Sequence, residues 1–175
     1  MVTIGSGIVQ ICHIVEDLDQ AVDHWVETFG AGPFFGQRNL DIPVMHRGTP
    51  SFLYSHVALG QCGMLQMELV QIVGNEPTVY RDMYPDGGSG FHHVAMFVDD
   101  LQKEIDAYAA AGSELGALGE FNGCGFAYVD TRKSVGFFTE LYEECAFMRG
   151  FYRKIADAAA GWDGTRRMRS FAEVA

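Results

Sequence analysis

Cysteine is scarce in this sequence, and the few cysteines form no motif. The 175 residues include only Cys12, Cys62, Cys124 and Cys145. No two of them form a C-x-x-C pair, and four scattered cysteines are too few for the dense disulfide framework of a small secreted domain. We therefore expect four reduced thiols in a cytosolic protein.

Basic residues are also few. The chain has 12 lysines and arginines against 23 aspartates and glutamates, a formal net charge of −11. Nucleic-acid binding needs a positive surface that neutralises phosphates, so the balance of charge argues against it. A heavily phosphorylated ligand is disfavoured less strongly, since a few local arginines could still bind one.

The sequence lacks a long apolar run. Its first ten residues, MVTIGSGIVQ, contain no basic start followed by an apolar core. No later run approaches the length that spans a bilayer. We expect a soluble, cytoplasmic protein with no membrane partner.

Apolar residues are nevertheless plentiful. The chain is 48% hydrophobic and 13% aromatic, which is too apolar for a disordered protein. Its length and composition predict one compact domain or two small, closely packed halves.

Two segments of the chain repeat one pattern. QICHIVEDLDQAVDHW (Gln10–Trp25) and HVAMFVDDLQKEIDAY (His93–Tyr108) each contain an apolar run, then Asp-Leu, then residues with helical periodicity. Asp17 follows Gln10 by seven residues, as Asp100 follows His93. Asp17 is placed to cap the first helix. The repeat predicts a strand followed by a helix, used twice.

The remaining elements are read from apolar runs and from glycine and proline. A loop rich in both, around Gly32–Pro50, precedes a predicted hairpin of Phe52–Leu59 and Met64–Ile72. Asp86–Gly90 is the clearest linker. Further strands are predicted at Phe126–Asp130 and Gly136–Tyr142 and a helix from Glu143 to about Ala160, followed by a loosely held basic cluster (Arg166, Arg167 and Arg169).

Each half ends in a strand that carries one acidic residue inside an apolar run. These residues are Glu68 in QMELV and Glu140 in FTELY. A buried carboxylate is unfavourable unless it is paired, hydrogen-bonded or bound to a metal. The alternative is that both lie on edge strands, where a charge discourages aggregation. Their corresponding positions in the two halves favour a shared site.

The repeated order of strand, helix and strands, with V-x-D-L after each first strand and Glu-Leu in each last strand, resembles the vicinal oxygen chelate superfamily. This group includes glyoxalase I, methylmalonyl-CoA epimerase, extradiol dioxygenases and bleomycin-resistance proteins. The resemblance covers residues 8–143. It implies an α+β fold in which two tandem βαβββ modules form a curled mixed sheet around a metal-binding cleft. The modules would span residues 1–85 and 86–143, with a C-terminal helix and tail at 144–175, all in one integrated domain.

Carried over position by position, the resemblance implies that Gln10, Glu68, His93 and Glu140 hold a divalent metal ion. One imidazole, two carboxylates and an amide suit Zn, Co, Ni, Mn or Mg. His13 is the competing ligand in the first strand, but it lies three residues from Gln10 and so on the opposite face. The same alternation predicts that His92 faces away from His93.

The resemblance further implies a metal-dependent glyoxalase-like lyase or isomerase, or an epimerase. Its reaction would be proton transfer next to a carbonyl or thioester through a metal-bound enolate, with Glu140 as general base and Glu68 as the partner acid or base. The substrate would be a small molecule, either apolar or an acyl thioester. Cys12 and Ile14 face the predicted cavity, where glyoxalase I has an arginine that binds the glutathione carboxylate.

Other functions stay open. A metal-free, small-molecule-binding protein of the bleomycin-resistance kind is the main alternative. A ring-cleaving dioxygenase is less favoured, because its two-histidine, one-glutamate set would need histidine in place of Glu68. A subunit whose edge strands and C-terminal helix serve assembly is a third alternative, and the resemblance is compatible with a homodimer.

Overall fold

The computed structural model describes residues 7–175, so the first six residues of the predicted first module lie outside it. The first module contains β1 (Gln10–Ile14), α1 (Leu18–Phe29), β2 (Phe34–His46), β3 (Thr49–Cys62) and β4 (Leu65–Ile72). The short helix α2 (Val79–Met83) follows it. The second module contains β5 (Gly90–Val98), α3 (Leu101–Ala110), β6 (Glu114–Phe121), β7 (Cys124–Asp130), α4 (Arg132–Val135) and β8 (Phe138–Glu143). The chain then forms α5 (Ala146–Ala159), β9 (Met168–Ser170) and a 3-10 helix (Phe171–Glu173).

The strands form a single mixed sheet that closes on itself. Their order is β3-β4-β1-β5-β8-β7-β6-β2-β9, and β2 also pairs with β3. Strands β1 and β4 are parallel, as are β5 and β8, whereas β1 and β5 are antiparallel. Two βαβββ modules around a curled sheet are therefore confirmed. Their division at residue 86 stays a prediction.

The two modules are related by the same strand register. Gln10 pairs with Gln66, two residues before Glu68, and His93 pairs with Phe138, two residues before Glu140. At the seam between the modules, β1 and β5 pair Cys12 with His93. The register therefore brings the inner faces of β4, β1, β5 and β8 together at the centre of the closed sheet.

The helices α1 and α3 cover the outside of the sheet. The carboxylate of Asp17 accepts a hydrogen bond from the Gln20 amide at 2.9 Å, and Asp100 accepts one from Lys103 at 3.0 Å. These caps satisfy first-turn N–H groups, which confirms the prediction for Asp17. Each helix buries an apolar stripe against its own module, led by Leu18 in α1 and Ile105 in α3. None of the helices formed by residues 7–175 is long and apolar enough to cross a membrane.

The predicted loop at Gly32–Pro50 is wrong for most of its length, since β2 occupies it. Strand β2 forms a long hairpin with β3 through Arg47 and Gly48, both of which have positive φ. In β2 the residues Gln37–Asn39 are polar and exposed, whereas the side chains of Leu40–His46 alternate between more buried and exposed positions. This alternation is typical of a strand, and the prediction of a loop overlooked it. Strand β2 pairs with β3 on one side and with β6 and β9 on the other.

The prediction of four reduced cysteines is also wrong. Cys124 and Cys145 form a disulfide with their Cα atoms 6.1 Å apart, whereas Cys12 and Cys62 are free. The bond joins the start of β7 to the residue that caps α5. A separation of 21 residues without a recognisable motif gives no sign of this pairing, which only the fold creates.

The basic tail is held in place. Arg166 pairs with Glu173 at 3.0 Å, and Arg167 pairs with Asp23 and Glu27, both at 2.9 Å. Strand β9 adds to β2 in parallel. The basic cluster is therefore not loosely held. Arg167 and β9 attach the C-terminal segment to α1 and β2.

Candidate metal centre

One imidazole and two carboxylates meet at the centre of the closed sheet. The Nε2 atom of His93, on β5, lies 3.2 Å from Oε2 of Glu68 and 3.0 Å from Oε2 of Glu140. Glu68 comes from β4 and Glu140 from β8, so each module supplies one acid. All three residues are buried. The structure thus brings together three of the four side chains predicted as metal ligands.

The facing atoms of this cluster have no hydrogen-bond partner. Oε2 of Glu68, Nε2 of His93 and Oε2 of Glu140 are all buried without one, although the two oxygens lie 3.2 and 3.0 Å from the nitrogen. Buried polar atoms are rarely left in this state, and such exceptions point to a missing ion or water. Imidazole nitrogen and carboxylate oxygen are suitable ligands for a divalent cation. The arrangement fits such an ion.

Gln10 lies beside this cluster but bonds elsewhere. It is buried on β1, and its Nε2 donates to Oε1 of Gln66 at 2.7 Å. Its own Oε1 has no hydrogen-bond partner. The amide oxygen remains available to an ion, while the amide nitrogen is held by the neighbouring strand. The sequence singled out Gln10 and missed Gln66, although both lie on the face that carries Glu68.

His92 belongs to the site, and the prediction that it faces away from His93 is wrong. Its Nδ1 lies 2.8 Å from Nδ1 of His93, and its Nε2 lies 3.0 Å from the carbonyl oxygen of Val79. The pairing of β1 with β5 shifts between Cys12 and His13, which leaves His92 as an extra residue in β5. A bulge of this kind redirects a side chain, and the sequence contains no signal for it.

These two contacts define which nitrogens carry protons. A carbonyl only accepts, so Nε2 of His92 is the donor to Val79, and its Nδ1 is left to accept from Nδ1 of His93. In the neutral form of His93, Nε2 then presents a lone pair toward Glu68 and Glu140. Metal-binding histidines commonly have their second ring nitrogen fixed in this way by a partner.

Burial and neighbouring charge act on the two histidines in opposite directions. Burial, together with the charge of His93, lowers the pKa of His92 to about 3, so His92 is neutral. Burial also lowers the pKa of His93, but Cys12 and Glu140 outweigh it, and the net pKa lies well above its usual range. Without a cation, protonated His93 is thus the group that balances the acids.

Cys12 is a further buried group at the site. It pairs in register with both Glu68 and His93, and its sulfur lies within 4.8 Å of ring nitrogens of His92 and His93. Burial raises the pKa of this thiol, and the neighbouring charge of His93 acts in the opposite direction. Cys12 is predicted from the sequence to face the cavity, but no function is predicted for it.

His13 lies outside the site, as its odd spacing from Gln10 predicts. Its ring packs against those of Trp25 and Phe91, 5.3 and 5.5 Å away between centroids. It therefore belongs to the layer between the sheet and α1. His13 also provides a matched control, because it is a histidine on a neighbouring strand that faces away from the acids.

Comparison with known proteins identifies related families. A family model described as the glyoxalase/bleomycin resistance protein/dioxygenase superfamily matches residues 9–128. No curated protein matches the chain significantly.

Solved structures match across most of the chain at low identity. Methylmalonyl-CoA epimerase from Mycobacterium tuberculosis has a TM-score of 0.59 and 16% identity, covering 85% of this chain and 95% of that one. A variant of the Streptomyces coelicolor methylmalonyl-CoA epimerase, in complex with 2-nitronate-propionyl-CoA, has a TM-score of 0.60 and 18% identity, covering 81% and 96%. A hypothetical protein from Bacillus halodurans C-125 has a TM-score of 0.59 and 17% identity, covering 79% and 94%. At these identities the likeness concerns the fold.

Proposed function

Because the chain belongs to the glyoxalase/bleomycin resistance/dioxygenase superfamily, we propose that it is a divalent-metal-dependent isomerase, epimerase or lyase. It would move a proton on a carbon next to a carbonyl or thioester of a hydrophobic acyl substrate. The observation that carries this proposal is the buried cluster of Glu68, His93 and Glu140, whose facing atoms lack hydrogen-bond partners.

Glu68, His93 and Glu140 would hold the ion, with the amide oxygen of Gln10 as the fourth ligand. The set suits Zn, Co, Ni, Mn or Mg. Three supporting contacts surround it: Gln66 holds the amide nitrogen of Gln10, and His92, bonded to Val79, holds His93.

A divalent ion bound there would polarise a substrate carbonyl and make the neighbouring C–H group more acidic. Glu140 would accept that proton, and Glu68 would return one to the product. The two carboxylates come from different modules and lie on β4 and β8, with His93 between them. Acids on two sides of one site are what an epimerase needs to remove a proton from one face and add it at the other.

The ligand types favour this chemistry over ring cleavage. The cluster holds one histidine and two carboxylates, whereas the iron oxygenases use two histidines and one carboxylate. A metal-free binding protein would not need three buried ionisable groups directed at one point. It remains the alternative that metal analysis tests.

Proton–deuterium exchange tests the proposed reaction. Ketones and acyl thioesters would be incubated in D₂O with the wild-type protein and added Zn, Co, Ni, Mn or Mg, and exchange next to the carbonyl followed by NMR. We expect metal-dependent exchange that Glu140→Gln abolishes. Exchange that is equal in Glu140→Gln, or absent with every metal and substrate, contradicts the proposal.

The cellular setting and assembly are part of the proposal. We propose a homodimer, whereas the cytoplasmic location expected from the sequence conflicts with the disulfide. The Cys124–Cys145 disulfide weighs against a strongly reducing compartment, because such bonds are rare in the cytosol.

A further inference from the structure

The acids of the metal centre lie at one side of an apolar cavity inside the closed sheet. The cavity has a volume of about 60 Å³, within about 570 Å³ of empty space that includes open solvent. A space of this volume suits a small ligand. Glu68 and Glu140 are lining residues, and the other lining side chains are aliphatic, aromatic or hydroxylic.

Among residues 7–175, no lysine, arginine or histidine lines this cavity. A divalent ion held by Glu68 and Glu140 would have both of its charges balanced by those acids. A carboxylate or phosphate on a ligand would then be desolvated with hydroxyl donors but no cationic partner, which is unfavourable.

The C-terminal segment forms the roof of the cavity. Met148 and Phe151 on α5 and Phe171 on the 3-10 helix line it and are all buried. The rings of Phe151 and Phe171 meet edge to face at 5.5 Å. Pairing of β9 with β2, and the capping box of Ser170 and Glu173, hold this roof closed.

The cations of the same segment point elsewhere. Arg149 pairs with Glu144 at 2.6 Å, and the ammonium of Lys154 donates to the carbonyl oxygen of Ala175 at 2.9 Å. Arg149 and Arg153 line a separate outer groove together with Gln66. The roof thus presents only apolar side chains to the interior, although its outer face is basic.

We propose that the cavity binds a small uncharged ketone or ester with an apolar body, and that Met148, Phe151 and Phe171 determine the shape it accepts. This inference rests on the proposed function, which requires a carbonyl beside Glu68 and Glu140. It narrows the substrate class by excluding molecules with an anionic group inside the cavity, including the nucleotide part of a coenzyme A thioester.

Two small probes of nearly equal size, 2-butanone and propionate, test the charge requirement. The metal-free protein, treated with a chelator, would be titrated calorimetrically with both and with coenzyme A. We expect the neutral ketone to bind at least about tenfold more tightly than the carboxylate, given the cost of burying an unpaired charge. Equal or tighter binding of propionate or coenzyme A, or no binding of the ketone, overturns the proposal.

A pair of tryptophan variants on α5 locates the binding site. Met148→Trp fills the cavity and should weaken ketone binding by about tenfold or more, whereas Arg153→Trp adds the same ring to the outer face and should leave it unchanged. Unchanged affinity in Met148→Trp overturns the proposal. If this variant does not fold, the comparison of probes on the wild-type protein still tests whether the cavity prefers an uncharged ligand. Because no metal is present, the result is separate from whether the metal-dependent reaction occurs.

Discussion

His92 and His93 are neighbours in the chain, yet both rings are buried and their Nδ1 atoms lie 2.8 Å apart. An extra residue in β5 makes this possible, because it turns His92 to the same side as His93. The hydrogen bond sets the tautomer of His93 and leaves its Nε2 directed at Glu68 and Glu140. A residue outside the predicted ligand set therefore orients the central ligand.

His92→Phe tests this orienting role. Phenylalanine can keep the stack on Phe138, whose ring lies 5.2 Å from that of His92, but it cannot bond to His93 or Val79. We expect metal affinity to fall by about 10- to 100-fold while the fold is retained. Titration with Co²⁺ and circular dichroism provide the two measurements. Unchanged affinity would show that the histidine pair does not support the site.

His92→Phe also tests whether the fold lowers the pKa of His92. The folded protein holds the pKa of His92 at about 3 against 6.5 in the unfolded chain. Between these values the unfolded chain binds the extra proton, so this contribution to stability is lost as the pH falls below about 6.5. We expect the free energy of unfolding of the metal-free wild type to drop more steeply than that of His92→Phe over this range. Denaturant unfolding at several pH values measures both, and parallel curves would contradict a buried neutral His92.

Gln10 should matter less than His93 for metal binding. A neutral amide is a weaker ligand than an imidazole or carboxylate, and the Gln10 side chain is already held by Gln66. We expect Gln10→Ala to weaken Co²⁺ binding by roughly tenfold at most, a loss close to that of one hydrogen bond between neutral groups. Gln66→Ala, which releases the Gln10 amide, should have a smaller effect still. Loss of binding in Gln10→Ala as complete as in His93→Ala would contradict this ranking.

The disulfide should stabilise the roof of the cavity. It closes a loop of 21 residues between β7 and α5, for which chain entropy predicts about 3 kcal/mol. We expect the double variant Cys124→Ala, Cys145→Ala to lose roughly that much free energy of unfolding, measured with urea. Cys62→Ala is the control, since Cys62 is free and only partly buried. Equal free energies of unfolding for the double variant and the wild type would show that the disulfide does not stabilise the folded protein.

The repeat predicts much of the fold, because its register reflects a duplicated strand–helix unit. It gives both outer helices, the cap at Asp17, and the three side chains that meet at the centre, Glu68, His93 and Glu140. The rest depends on contacts between distant segments. Strand β2 is stabilised by pairing with three other strands. The bulge at His92 and the Cys124–Cys145 bond likewise arise only when the sheet closes, and local sequence carries no trace of either.

Glu68, His93 and Glu140 would together hold one divalent ion in the proposed enzyme. Metal content of the purified protein, and calorimetric titration with Co²⁺ or Zn²⁺, test this most directly when wild type, His93→Ala, Glu140→Ala and His13→Ala are compared. We expect one ion per chain in the wild type and in His13→Ala, since His13 faces the outer layer, and no stoichiometric binding in the other two variants. A wild-type protein that binds no divalent ion, or His93→Ala and Glu140→Ala variants that bind one as tightly as wild type does, would contradict the account.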